Sequence, residues 1–174
     1  MVGKEIRSQG TSARVLEPMG DLDSRTQVHH LVVRFYREVV FDDRLAPVFS
    51  EVAEVDWSAH IPKLIDYWCR VLLGQPGYDG SILAAHQRVH DAEAFRADLF
   101  DRWYLLFVDT VDEGWRGPIA ERAKSHAARI ATALARRLLD IEWVAPTLPR
   151  TANREDRRND QSRRPTPRRD EGTR

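Results

Sequence analysis

Between Ser24 and Leu139 the apolar residues recur three and four positions apart almost without interruption, and no stretch alternates with period two long enough to build a sheet. That spacing commits the chain to helices. Residues 25–41 place Val28, Leu31, Val32, Phe35 and Val39 on one face behind Ser24 as N-cap, and Asp42-Asp43 ends the run. Arg44 to Phe49 is turn-like around Pro47; Asp56 or Ser58 then caps a helix over 57–73 whose stripe is Trp57, Ile61, Leu64, Ile65, Trp68 and Leu72. Pro62 is tolerated there by its closeness to the helix start, where backbone N–H groups lack partners. The turn formers of 74–80 break the chain before a short helix over 81–90. Asp91 and Glu93 open a long helix over 92–113 carrying Phe95, Leu99, Trp103, Leu106, Phe107 and Val111. Gly114 and Gly117 separate it from a last helix over 118–139, with Pro118 in its first turn and Ile119, Ala123, Ala127, Ile130, Leu134 and Leu138 inward. The expected fold class is all-α.

Residues 1–23 and 145–174 lack any hydrophobic periodicity and read as disordered extensions, the second rich in arginine, around one domain over 24–144. Residues 150–174 hold nine Arg against five acids, so the zero net charge of the 174 residues conceals a balance of about −4 elsewhere. That tail has no aromatic residue to stack on bases, and no nucleic-acid partner is expected. The longest wholly apolar run, Trp103 to Val108, falls far short of the roughly 20 residues that span a bilayer, and Met1 to Gly20 has no signal-like apolar stretch. No membrane partner is expected either. The single cysteine, Cys69, excludes an internal disulfide framework and any Cys-cluster metal site, and its solitude suits a cytoplasmic location.

Six histidines are the first candidates for chemistry. His86 and His90 stand four apart and can face one way toward one metal, yet no Glu follows His86 to make a His-Glu-x-x-His motif and no Glu-x-x-His pair occurs. Such a pair is more often surface decoration. His60 shares a helix side with Leu64 and Trp68; taken alone it reads as a core histidine satisfied by one hydrogen bond. Tyr36 beside Phe35, and Trp103 amid Phe100 and Phe107, read equally well as core aromatics. A His86/His90 mononuclear metal site lacks a carboxylate ligand that the sequence can place.

The set says more than its members. Phe35-Tyr36, Leu45-Ala-Pro47-Val-Phe49, Trp57-x-x-His60-x-x-Lys63-x-x-x-Tyr67-Trp68, Leu72-Leu73-Gly74 with Tyr78-x-Gly80, His86, and Trp103-x-x-Leu106-Phe107 follow one another in order over about residues 26–140. In that order they resemble the third group of the truncated haemoglobins. The resemblance implies a two-over-two helical sandwich that binds haem b (iron protoporphyrin IX), with His86 as the proximal iron ligand. It puts Tyr36, His60 and Trp103 on the distal side as the residues that act on bound ligand. Phe35, Phe49, Leu64, Trp68, Ile82 and Phe95 would lie against the porphyrin, and Lys63 would reach a propionate. The ligands it implies are dioxygen, NO, CO or peroxide. Hydrogen-bond donors on the distal side hold oxygen tightly, which favours redox chemistry such as NO dioxygenation or peroxide reduction over bulk transport, with an unidentified reductase or electron donor as partner. His90 stands as the alternative ligand to His86. A haem-free helical sensor or interaction module is the rival reading, though it leaves three polar residues on inward faces without a purpose.

Overall fold

The computed structural model describes residues 20–147, so all of the expected extensions except 20–23 and 145–147 lies outside the described residues. Every regular element there is helical: α1 (Arg25–Val39), a π-helical turn (Val48–Val52), α2 (Trp57–Leu73), α3 (Ile82–Ala92), α4 (Ala97–Gly114) and α5 (Pro118–Leu139). The pair α1 and α2 lies across the pair α4 and α5, in the two-over-two arrangement of a truncated globin. Among the described residues no helix is long and apolar enough to cross a membrane.

Helix starts follow their caps. Ser24 accepts from Gln27 N–H, Asp56 from Ser58 and Ala59 N–H, and Ser81 from Ala84 N–H. Three boundaries differ from the sequence expectation. Helix α1 stops at Val39 and leaves Phe41 79% exposed, because the nearly buried Asp42 turns the chain by accepting from Arg44 and Leu45 N–H while pairing with Arg102 of α4. Helix α3 runs on through Asp91 to Ala92, and α4 begins only at Ala97. Phe95 therefore sits on the connector, whose fold is set by Phe95 N–H donating to His90 Nδ1 at 3.0 Å. Pro62 lies in the second turn of α2, past the N–H groups that lack partners, so Ser58 C=O has no helical donor. Both residues are exposed, and water can satisfy that carbonyl.

The core centres on Phe107, stacked between Trp68 of α2 (4.9 Å, 16°) and Trp103 (5.6 Å, 14°), with Phe35 of α1 edge-on at 5.2 Å. Helix α5 buries Ala120, Ala123, Ala127, Ala131 and Ala135, whose small side chains let it lie close on α4. A second cluster joins Phe100, Leu134 and Trp143, and the Trp143 indole donates to Asp101 at 2.7 Å.

The first extension is shorter than expected, because residues 20–23 are built into the fold. Leu22 is fully buried, and the Asp21 carboxylate accepts from Ile119 and Ala120 N–H at 2.9 and 2.7 Å, capping α5 from outside its own sequence. That contact needs Gly117: at φ +140°, a Cβ there would meet Asp21 Cγ at 2.5 Å. Ala145 likewise packs on the second cluster rather than joining a tail. Burial pushes the Asp21 pKa up, but its backbone donors outweigh that and hold it below the usual carboxylate value. Asp21→Ala should lower the unfolding free energy in urea by about 1 kcal/mol near neutral pH. Since the folded carboxylate titrates below the unfolded one, its contribution is present above about pH 4 and lost in stronger acid. The gap between the two proteins should close there.

Candidate functional site

Helix α3 carries an apolar face, yet none of its residues is fully buried. It packs on α5 rather than on α2. Ile82, Leu83 and His86 on α3, Leu64 on α2, Phe95 on the connector and Leu99 and Trp103 on α4 are all only half-buried. Apolar side chains from three helices thus keep surface that their neighbours leave uncovered, and the space they border is the candidate cleft.

Three polar side chains meet at the α1–α2 end of this cleft. Tyr36 projects from the buried face of α1, with its ring against Phe35, Phe49, Trp57 and His60; the His60 ring stands perpendicular to it at 6.3 Å. The Trp103 indole N–H lies near the Tyr36 hydroxyl. Burial drives the Tyr36 pKa far up, and the Trp103 donor opposes this only weakly, so the phenol stays protonated at neutral pH. Burial also lowers the His60 pKa, helped by the charges of His86 and Lys63.

The two α3 histidines are chemically distinct. His86 Nδ1 lies 2.8 Å from Ile82 C=O, one turn back on the same helix. A carbonyl only accepts, so Nδ1 carries the proton and Nε2 keeps its lone pair. Burial holds the His86 pKa down despite that carbonyl, which favours the neutral ring. His90 is the reverse: its Nδ1 accepts from Phe95 N–H, so in the neutral ring Nε2 carries the proton and offers no lone pair. Among the described residues no three His, Cys, Asp or Glu side chains come together, so a His86/His90 metal site with a carboxylate ligand is not formed.

The remaining predicted residues divide between the cleft and what lies behind it. Phe49 is half-buried and stacks on Trp57 at 5.6 Å, and Leu64, Ile82 and Phe95 border the cleft. Phe35 and Trp68, read from sequence as cofactor contacts, are 1% and 3% exposed. With no surface left to offer a bound group, they back the cleft through Trp103 and Phe107 instead of lining it. Lys63 is exposed, one turn beyond His60. Sequence reasoning missed the Ile82 carbonyl, although helix geometry puts the carbonyl of residue i−4 within reach of a histidine side chain. It missed the His90–Phe95 contact too, which has no local signature. It gave Trp57 no site role, whereas the indole closes a three-ring cluster with Phe49 and Tyr36.

No protein-family profile matches the chain. A group 3 truncated haemoglobin of Campylobacter jejuni is 26% identical over 118 residues, covering 64% of this chain and 91% of that protein. The crystal structure of the group III truncated haemoglobin from Campylobacter jejuni superposes with a TM-score of 0.59 at 25% identity, over 66% of this chain and 91% of the other. In sequence and in fold this chain is similar to a group III truncated haemoglobin.

Proposed function

We propose that the cleft holds haem b with His86 Nε2 as the proximal ligand, and that the protein binds dioxygen and related small ligands for redox chemistry, peroxide reduction foremost. One observation carries this reading: the His86 ring, held by the Ile82 carbonyl at Nδ1, keeps a free Nε2 lone pair on a helix none of whose residues is fully buried. The residues suit the group. Haem iron needs one neutral imidazole and two apolar walls, and a carbonyl hydrogen bond to the far ring nitrogen fixes the ligand's tautomer and aim. Half-buried Leu64, Ile82, Phe95 and Leu99 would each gain about 25 cal/mol per Å² of apolar surface covered. Thioether attachment needs a Cys-x-x-Cys-His motif, and the one cysteine is buried in the core, so the haem is held without covalent bonds.

When bound, haem iron supplies the ligand-binding and electron-exchanging centre. The chain's own part lies in donors and protons. Tyr36, held by the rings of Phe35, Phe49 and Trp57, would donate its protonated hydroxyl to a ligand in the cleft, at about 1.5–3 kcal/mol to an acceptor carrying charge. Trp103 N–H can serve only as a donor. Neutral His60 can take a proton on one ring nitrogen and give one from the other, which peroxide reduction requires. Exposed Lys63 would meet a propionate at the rim. This pattern favours retention and chemical use of the ligand over rapid release. NO dioxygenation draws on the same donors; His60, as a proton carrier, is what tips the reading toward peroxide.

The deciding experiment is the visible spectrum of the haem-reconstituted protein in ferric, reduced and CO-bound forms. A Soret band that shifts with reduction and with CO is the expected result; failure to take up stoichiometric haem overturns the reading. His86→Ala should abolish haem retention. His90→Ala should keep the haem and lose about 1 kcal/mol of stability with the Phe95 N–H partner, and the opposite pattern would transfer the ligand role to His90. Tyr36→Phe should raise the oxygen dissociation rate about tenfold or more, measured by rapid mixing against CO. An unchanged rate would remove Tyr36 from the ligand's surroundings.

A further inference from the structure

The core aromatics form a line that the haem reading does not use. Trp103, beside Tyr36 at the cleft, lies nearly parallel to Phe107 at 5.6 Å; Phe107 is nearly parallel to Trp68 at 4.9 Å; Trp68 meets the next residue, Tyr67, at 5.6 Å. The line leaves the core at Tyr67, which is half-buried in the α2–α5 seam with Tyr78 edge-on at 5.1 Å. It ends on a hydrogen-bonded group: Tyr67 Oη lies 2.5 Å from His126 Nε2. The Arg129 guanidinium, which can only donate, lies 3.1 Å from His126 Nδ1, so Nδ1 holds the lone pair and Nε2–H donates to the phenol oxygen. That leaves the phenolic proton of Tyr67 free to go to water at the half-exposed edge.

Trp and Tyr are the side chains most easily oxidised by one electron. A phenylalanine stacked between two tryptophans bridges them without itself being oxidised. We infer that Tyr67 is a surface oxidation site, connected to the cleft through Trp68, Phe107 and Trp103, at which small phenols too bulky for the cleft are oxidised at the expense of hydrogen peroxide. This rests on the haem reading.

The reaction balances as follows. Tyr67 sends one electron inward along the stack, and its phenolic proton passes to water, leaving a neutral phenoxyl held by the His126 N–H. A donor phenol then gives up its O–H hydrogen, one electron and one proton, which restores Tyr67. Two such passages deliver the two electrons that, with two protons, convert one hydrogen peroxide into two waters in the cleft, and two donor phenoxyls are released. At rest the Tyr67 hydroxyl remains a phenol, because burial and the neighbouring Tyr78 push its pKa up to about 12. A second aromatic branch leaves Trp103 through the adjoining Tyr104 to Trp143, 5.6 Å apart, but Trp143 is 6% exposed and its N–H is already held by Asp101. It offers a donor no edge.

The test treats the haem-loaded full chain with hydrogen peroxide and a nitroso spin trap, locates the adduct by peptide mass spectrometry, and follows the Soret band and guaiacol oxidation in parallel. The expected adduct is on Tyr67. Tyr67→Phe should remove it and slow guaiacol oxidation at least fivefold, while the first peroxide-induced Soret change keeps its rate. Adducts confined to Tyr36 and Trp103, or found on Trp143, or guaiacol oxidation unaffected by Tyr67→Phe, would overturn this proposal and leave the haem reading standing. Absence of haem uptake would overturn both.

Discussion

The packing of Phe107 is the contact on which the rest of this molecule depends. Its ring is held by Trp68 on one face, Trp103 on the other and Phe35 at the edge, so one side chain of α4 ties α1 and α2 to the second helix pair. Aromatic pairs of this kind contribute about 0.5–1.5 kcal/mol each beyond the area they bury. More important for function is what the junction immobilises. Trp103 and Tyr36 each touch a member of it, so both donors at the cleft inherit their orientation from the best-packed part of the core.

The opposite wall is built differently. Helix α3 has no fully buried residue, rests on α5 and is tied down locally by the Ser81 cap and the His90–Phe95 hydrogen bond. A wall bearing donors and packed into the core therefore faces a lightly held wall bearing the His86 imidazole. This division fits a site whose two halves are joined by what lies between them. A group bound to the fold stabilises it by mass action, and the gain falls mainly on the element that lacks contacts of its own.

Helix number, helix order, the caps at Ser24, Asp56 and Ser81, and the convergence of Tyr36, His60 and Trp103 were legible in the sequence, because caps and periodicity are local and the resemblance supplied the order. What escaped depends on residues far apart in the chain. Asp21 caps α5 from 98 positions away, and nothing in the sequence of Asp21 or Gly117 announces the pairing. Asp42 ends α1 two residues early through contacts that include Arg102, 60 positions on. The divide between residues that line the cleft and residues that back it is also tertiary: Phe35 and Trp68 have the same periodicity as lining residues, and only Phe107 between Trp68 and Trp103 takes them out of reach. By contrast, the tautomers of His86 and His90 turn on one hydrogen bond each, and the His86 half of that difference was available from helix geometry alone.

Electrostatics completes the site by keeping ions out of it. Burial raises the Tyr36 pKa and lowers those of His60 and His86, so all three favour their neutral forms near pH 7. The formal charges stand outside: Lys63 is exposed, and Asp42 is compensated by Arg102 behind the α1–α2 corner. In the proposed reading, a cleft lined with neutral dipoles would bind an uncharged diatomic without competition from bulk anions, which a fixed cation would attract. It would still stabilise negative charge as that charge develops, because the Tyr36 and Trp103 side chains that carry the donors are held by the packed core. The same burial that keeps the donors neutral sets their aim, so the chemistry of this cleft follows from the packing around Phe107.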